Sequence, residues 1–541
     1  MTLLSEKQKK KLQDLYNQNK FSEIEIEIET ISDFKTRSSF LANLLGVAKL
    51  KKKFKLDEDW VYARDLFLDA YKKAPNYDDA LCNYANVSVK LRDYDHAFHE
   101  LLKRKKKGYS PKINDSLARI YFFEGEIDKE LELFKENEKN NHLTTTTASH
   151  FLTSMNYSSN VSQDDYFDYY KKIDNKFSVP IKDLNKLNKY SFDKNLNIGF
   201  ISPDFKEHSV YYFLKSLFEP LKKNSIKIFA FNLRKKEELD KISNQIKEDC
   251  DKWVDLSEST DFESANIIIN NKINILIDLV GHFGRNRFKI LKYKPAPIQI
   301  SWMGYVNTTG IKEVDYILAD QHLIKSNEEK FYSEKILRMP HIWNCHSGIT
   351  ENLSISVPPF LNNGYLTFGC FNNPSKISEN CIDTWSKILT KIPTCKLMIK
   401  APTNDAEIAQ RKILNKFKNN SIPESRILFE KSKKERIDHL RMYSQVDISL
   451  DTFPYPGVTT SFESIWMGVP VLTKKGNNFV SRCGESININ LGMENFVAIN
   501  EDDYISKAVY LSKNKEKINQ IRNSLRSKAS KSPLFDVKLF G

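Results

Sequence analysis

The sequence predicts an α-helical repeat region followed by two separate α/β lobes, each built on a doubly wound parallel sheet. A repeat of 33 to 34 residues runs through the first 140 residues, and from residue 196 short apolar strands alternate with helices. The alternation breaks at residues 344–364, which carry two adjacent prolines. We therefore predict helical repeats at 1–141, a helical linker at 142–194, a first lobe at 195–345 and a second at 346–541.

The helical repeats are predicted from their spacing. Phe67 aligns with Leu101 at 34 residues and with Phe134 after a further 33, the period of tetratricopeptide repeats. An earlier, less regular unit runs through residues 15–28, with a short insertion around residues 51–59. Such repeats stack into a solenoid whose concave face binds peptides or partner proteins. The alternative is a plain helical bundle used only for packing.

Composition excludes several classes of protein. No apolar run approaches the roughly 20 residues that span a bilayer, and the first residues lack the apolar stretch of a secretory signal. The seven cysteines are scattered without a CxxC pair, so we expect no disulfide, no structural zinc and a cytoplasmic location. The net charge of +13 is spread along the chain, with no basic stripe interleaved with aromatics, so we expect no nucleic-acid partner.

Polar residues follow the predicted strands of the first lobe, where the ligands of parallel sheets bind. His208 follows the strand NIGFIS, and His282 follows INILIDLVG. Tyr305, Asn307 and Thr308 follow IQISWMG. We interpret all five as candidate residues of an interlobe cleft. The alternative for each loop histidine is an ordinary surface or hydrogen-bonded residue.

The second lobe repeats this pattern. Asn372, Asn373 and Lys376 follow the strand LTFGCF, and Arg436 and His439 come at the helix after RILFE. Together with the first-lobe residues they describe a polar cleft between two lobes, which is the kind of site that binds a small molecule.

Residues 450–471, LDTFPYPGVTTSFESIWMGVPV, are the most informative stretch of the chain. They predict a strand end, a Pro/Gly turn and a helix that begins near Thr459 and Thr460. A helix start can hold a diphosphate through its unpaired N–H groups, and the Glu463 carboxylate could receive sugar hydroxyls. The alternative is a capping box, Thr460-x-x-Glu463. We expect this helix start to be both a capped helix end and a diphosphate-binding site, with Glu463 fixing its position.

Several long motifs resemble the catalytic region of the SPINDLY and O-GlcNAc transferase family. They are GYVNTTG at 304–310, TFGCFNNPSKI at 367–377 and residues 450–471, supported by PAPIQISWMGY and the SPLF ending. The resemblance covers roughly residues 195–540. It implies tetratricopeptide repeats followed by a GT-B pair of Rossmann-like lobes, and transfer of a sugar from a nucleotide donor to Ser or Thr of acceptor proteins.

The resemblance also implies residue roles. Lys376 matches a lysine on the diphosphate, and Thr459–Thr460 match threonines at the phosphate helix. Glu463 matches an acidic residue on the ribose, and His439 a histidine near the nucleoside. His208 matches the histidine that reaches the active centre. Because a lysine and a helix start can neutralise a leaving diphosphate, and no paired acidic motif stands out, we expect neither a metal nor another cofactor.

The donor is expected to be UDP-GlcNAc. Two departures keep an alternative open: animal O-GlcNAc transferases have histidine where this chain has Val458, and aspartate where it has Glu463. Glu463 leans toward SPINDLY, as do the NNPSKI and NTTG motifs, and the plant SPINDLY uses GDP-fucose. The alternatives are therefore a protein O-fucosyltransferase and a non-catalytic repeat scaffold with a degenerate GT-B region.

Overall fold

The computed structural model describes residues 4–31, 37–51, 57–184, 187–191, 195–400, 407–431, 433 and 435–541. The chain divides into two compact units, with the boundary between Leu143 and Thr144. The first unit is helical, and its helices are α1 Glu6–Asn17, α2 Phe21–Ile31, α3 Ser39–Lys51, α4 Asp57–Lys73, α5 Asp78–Lys90, α6 Asp95–Lys106, α7 Pro111–Glu124 and α8 Ile127–Lys139.

Helices of the first unit form antiparallel pairs at the predicted period. Helix α5 begins at Asp78 and α7 begins at Pro111, 33 residues later. Asp78 joins the pairs, because it accepts a bidentate ion pair from Arg104 of α6 at 2.7 and 3.1 Å and a hydrogen bond from Ser110 before α7 at 2.6 Å. The predicted insertion near residues 51–59 falls largely on residues 52–56, which lie outside the described residues.

Three helices open the second unit: α9 Thr145–Met155, α10 Gln163–Lys176 and α11 Ile181–Leu184. They occupy most of the predicted linker and pack on the first lobe. Asp174 of α10, for example, accepts a buried ion pair from Lys292 at 2.8 Å. The region before the first lobe is therefore an integral layer of the second unit.

The first lobe is a parallel sheet in the order β3-β2-β1-β4-β5-β6-β7. Strand β1 is buried along its whole length and pairs with β2 and β4, which places its carboxyl end centrally. The strands are β1 Asn197–Ser202, β2 Lys227–Asn232, β3 Lys252–Asp255, β4 Ile275–Asp278, β5 Ile298–Ser301, β6 Tyr316–Asp320 and β7 Lys335–Met339. Its helices are α12 Ser209–Lys223, α13 Lys241–Asp249, α14 Asp261–Asn270 and α15 Phe288–Lys292.

The second lobe is a parallel sheet in the order β10-β9-β8-β11-β12-β13. Its strands are β8 Thr367–Cys370, β9 Lys396–Lys400, β10 Ile427–Glu430, β11 Ile448–Leu450, β12 Val471–Lys474 and β13 Val497–Ala498. Its helices are α16 Phe360–Asn363, α17 Glu379–Lys391, α18 Glu407–Asn419, α19 Arg436–Arg441, α20 Thr459–Trp466, α21 Cys483–Asn490, α22 Glu501–Lys513, α23 Lys515–Ser530 and α24 Val537–Phe540.

The two lobes are joined at several points. Phe540 of α24 returns to the first lobe and stacks on Trp302, with ring centroids 6.1 Å apart. Ser486 of α21 donates a 2.6 Å hydrogen bond to Asp320 at the end of β6. The architecture is thus the predicted one, a helical region followed by two Rossmann-like lobes. Among the described helices, none combines the length and apolar character that a membrane crossing requires.

A buried ion pair gives a test of the lobe contact. Arg482 donates to both carboxylate oxygens of Glu328, at 2.6 and 2.7 Å, and its side chain is 2% exposed. We expect Arg482→Ala to lower the free energy of unfolding by about 3 kcal/mol, because it leaves a buried carboxylate unpaired. Urea unfolding measures this. Arg441→Ala, which removes an exposed pair with Asp438, should change it by less than about 1 kcal/mol.

Candidate active site

A cavity of about 520 Å³ lies between the lobes, at the carboxyl ends of β1, β4 and β5 on one side and of β8 and β11 on the other. This is where the ligands of parallel sheets bind. The cavity brings together six of the predicted site residues: His208, Asn372, Asn373, Lys376, Thr459 and Thr460. The first-lobe wall is mostly apolar but carries Asp204 and His208, and the second-lobe wall carries Asn372, Lys376 and the start of α20.

Lys376 provides the positive charge in the second-lobe wall. Its ammonium donates to the carbonyl oxygen of Pro456 at 2.9 Å and lies 4.0 Å from the ring centroid of Tyr455. Burial lowers the pKa of Lys376 to about 8, and the nearby Asp451 opposes this shift. The lysine is therefore charged at neutral pH, held in one orientation, and has further N–H groups for an anion.

A buried carboxylate arranges the turn before α20. Asp451 accepts hydrogen bonds from the Gly457 N–H at 2.7 Å and from the side chain of Asn372 at 3.1 Å. The carbonyl oxygen of Asn372 then accepts from the Thr460 hydroxyl at 2.5 Å. A Cβ on Gly457 would lie 2.4 Å from the Thr460 hydroxyl oxygen, so only glycine fits this turn. Burial raises the pKa of Asp451, and these donors oppose the increase.

Helix α20 begins at Thr459, as predicted, but the predicted capping box is wrong. Val458 occupies the N-cap position and offers no side-chain acceptor, and Thr460 is already the second helical residue. The Glu463 carboxylate points away from the helix start and bonds to His439. The N–H groups of Thr459 and Thr460 therefore have no side-chain cap, and both residues line the cavity at the positive end of the helix.

Arg436, His439 and Glu463, which are also predicted to bind the donor, are not among the residues that line this cavity. They form a buried network in which Glu463 of α20 contacts Arg436 and His439 of α19. His439 Nε2 lies 3.0 Å from Glu463, its Nδ1 lies 3.0 Å from the Lys400 ammonium, and Arg436 lies 3.9 Å from Glu463. Burial tends to raise the pKa of Glu463, but His439 and Arg436 outweigh it, so this pKa is lowered.

His208 faces this wall from the first lobe. It is the N-cap of α12, where its Nδ1 accepts a long 3.4 Å bond from the Val210 N–H. Burial lowers the pKa of His208, and Asp204 opposes this effect, so the ring is neutral near pH 7. The lone pair is then on Nδ1, where only this weak bond occupies it, and Nε2 carries the proton. The ring can accept a proton on one nitrogen and donate one from the other.

Four predicted cleft residues are buried and absent from the cavity lining: His282, Tyr305, Asn307 and Thr308. His282 bonds to Ser149 at 3.0 Å, and both Tyr305 and Asn307 bond to Asn156, at 3.1 and 2.9 Å. Thr308 donates to Glu334 at 2.6 Å. Burial lowers the pKa of His282 to about 4. Helix α9 and Asn156 after it cover His282, Tyr305 and Asn307, and Glu334 before β7 holds Thr308, so none of the four lines the cavity.

Five polar residues of the cavity were not among the predicted site residues: Tyr157, Asp204, Ser209, Asn344 and Tyr455. Asp204 follows β1 in the same loop as His208, and Tyr455 lies within the stretch 450–471, so their positions after strands were an available signal. Tyr157 comes from the turn between α9 and α10. No motif marks it in the sequence.

Residues 173–351 and 359–541 match the family model described as Glycosyl transferase family 41. The chain belongs to this family. Its relatives include proteins named "Probable UDP-N-acetylglucosamine--peptide N-acetylglucosaminyltransferase SPINDLY". That of Solanum lycopersicum is 31% identical over 350 residues, covering 64% of this chain and 38% of the relative. That of Petunia hybrida is 30% identical over 392 residues, covering 72% and 42%. The chain thus spans about two fifths of their length.

The fold has a solved counterpart in a mutant O-GlcNAc transferase of Thermobaculum terrenum. The two structures superpose with a TM-score of 0.79 over 89% of this chain and 92% of the other, at 23% identity. The resemblance to the SPINDLY and O-GlcNAc transferase family and the predicted GT-B architecture are therefore confirmed.

The state of Lys376 predicts how anion binding depends on pH. Because its pKa is lowered to about 8, the ammonium loses its proton above this pH, and the attraction for a diphosphate is lost. We expect the affinity for UDP to fall as the pH rises from about 7 to 9.5, by up to tenfold per unit above the pKa. Calorimetric titration measures it. Lys376→Arg, which stays charged, should remove the decline, and an unchanged affinity in the unsubstituted protein would contradict the assignment.

Proposed function

We propose that this protein transfers N-acetylglucosamine from UDP-GlcNAc to Ser and Thr hydroxyls of acceptor proteins. The observation that carries the proposal is the convergence of Lys376, the uncapped start of α20 and His208 on one interlobe cavity. The names of the SPINDLY relatives, which specify UDP-N-acetylglucosamine and a peptide, support the donor and the acceptor class.

The chemistry follows from where charge develops. The acceptor oxygen bonds to the anomeric carbon, the bond from that carbon to the phosphate oxygen breaks, and UDP leaves with the electron pair. The Lys376 ammonium and the N–H groups of α20 stabilise the charge on this leaving group. The acceptor hydroxyl loses its proton in the same step, and the neutral His208 ring receives it. For Nδ1 to take this proton, its long 3.4 Å bond from the Val210 N–H must be released.

The helical repeats supply the second binding region of this proposal. Paired helices such as α5–α6 and α7–α8 stack on one another, and a stack of such pairs offers an extended surface for protein chains. We infer that acceptor proteins bind there. We also place the protein in the cytoplasm, because its seven cysteines are all buried and unpaired, as is usual in a reducing compartment.

A donor panel tests the proposal. We expect UDP-GlcNAc to raise the melting temperature and to yield acceptor protein heavier by one N-acetylhexosamine, measured by mass spectrometry. GDP-fucose and a TDP-sugar serve as the comparison donors. Fucose on the acceptor would show that the donor is GDP-fucose and not UDP-GlcNAc. If no donor raises the melting temperature and none is transferred, a scaffold function would replace the enzymatic one.

Lys376→Ala is the matched variant for the same assay. Removing the Lys376 ammonium, the one ammonium among the described residues of the second-lobe wall, should lower the rate of transfer by about 100-fold or more, as for loss of a donor that stabilises an oxyanion. The melting temperature without ligand should remain within a few degrees. If Lys376→Ala transferred sugar at the rate of the unsubstituted protein, the assignment of Lys376 to the active site would be wrong.

We also propose that transfer needs no metal. The groups that meet the diphosphate are an ammonium and backbone N–H donors, and among the described residues no three His, Cys, Asp or Glu side chains cluster as a metal site would require. We expect the rate of transfer to be unchanged by EDTA at a concentration that removes divalent cations. Loss of activity with EDTA and recovery with Mg²⁺ or Mn²⁺ would contradict this.

A further inference from the structure

Three side chains in the cavity form a stack, and the predicted site includes only one of them, Lys376. The ring of Tyr157 lies against that of Tyr455, with centroids 4.6 Å apart and an angle of 40° between the planes. On the Tyr455 ring lies the Lys376 ammonium, 4.0 Å from the centroid. All three side chains line the cavity. The position of the ammonium thus depends on a ring that is itself supported by a second ring.

Tyr157 comes from the turn between α9 and α10, which is attached to both lobes. On the first-lobe side, Asn156 donates to the Tyr305 hydroxyl at 3.1 Å. On the second-lobe side, Asn380 donates to Ser159 at 3.3 Å, and Gln163 donates to the carbonyl oxygen of Asn477 at 2.7 Å. A turn fixed at both ends provides a rigid support for the stack, and a rigid support is what a side chain at a reacting centre needs.

The support affects both the position and the charge of Lys376. Tyr157 and Tyr455 are each 7% exposed, so removing the Tyr157 ring would open space beneath Tyr455 and let water in. Tyr455 could then turn away from the ammonium, which would lose its aromatic partner. Lys376 would keep its hydrogen bond to Pro456 and its attraction to Asp451. Since burial lowers the pKa of this lysine, water entry would also raise that pKa.

We propose that Tyr157 is a positioning residue for Lys376: through the ring of Tyr455 it holds the ammonium at the diphosphate position, so that the turn between α9 and α10 completes the donor site. The inference rests on the proposed function, because it assumes that Lys376 binds the diphosphate of the donor. Tyr157 itself acts through Tyr455 and does not participate in the transfer.

The test compares three variants of the full chain, with UDP as the probe. We expect Tyr157→Ala to weaken UDP binding by about tenfold and to raise the KM for UDP-GlcNAc more than it lowers kcat. Tyr157→Phe, which keeps the ring, should bind UDP within about twofold of the unsubstituted protein. Tyr510→Ala removes a tyrosine of α22 that is 54% exposed, and controls for the loss of an aromatic side chain elsewhere. If Tyr157→Ala does not fold, Tyr157→Leu keeps the bulk without the ring.

The pH profile separates positioning from a general structural effect. With Lys376 more exposed, the decline in UDP affinity at high pH should begin at a higher pH in Tyr157→Ala or Tyr157→Leu. A folded variant that binds UDP as tightly as the unsubstituted protein, with the same pH profile, would overturn this role while leaving the proposed function intact. If the unsubstituted protein binds neither UDP nor GDP, and transfers no sugar from UDP-GlcNAc or GDP-fucose, both the proposed function and this role of Tyr157 are overturned.

Discussion

The site depends on one buried carboxylate, Asp451, at the end of β11. Its oxygens accept from the Gly457 N–H, from Asn372 and from the Thr473 hydroxyl at 2.8 Å. These donors come from the turn before α20, from the loop after β8 and from β12, so one side chain fixes three segments. A buried charge is tolerated only when it is well hydrogen-bonded. The three donors therefore stabilise the buried carboxylate of Asp451, and Asp451 in turn holds the three segments together.

The polar groups of α20 have different surroundings in its first turn and at Glu463. Its first turn faces the cavity with uncapped N–H groups, while Glu463, one turn later, bonds to His439. Lys400 approaches His439 from β9 on the opposite side. If Glu463 capped the helix, the N–H groups that suit a diphosphate would already be satisfied. Because Val458 at the N-cap position offers no side-chain acceptor, it leaves these N–H groups available, and the helix lacks one cap.

The sequence was sufficient for the repeats, the two parallel sheets and the helix start at Thr459, because each depends on local periodicity or on turn residues. It placed Lys376 and His208 correctly after their strands for the same reason. It could not place His282 and Tyr305, because a position after a strand does not reveal which edge another helix covers. The sequence also did not reveal the hydrogen-bond partner of Glu463, because this partner, His439, lies on another helix, α19.

The covering helices are therefore more than a connection between repeats and lobes. By burying His282 and Tyr305, α9 turns a polar loop edge of the first lobe into an interface, and the chain that leaves α9 reaches the cavity at Tyr157. The family model begins at residue 173, after this turn, yet the turn contacts both lobes and the aromatic ring beneath the cavity lysine. It follows that the structural unit that holds the cavity extends to the start of α9. Sequence variation between α9 and α10 is then expected to affect the cavity through the ring of Tyr455.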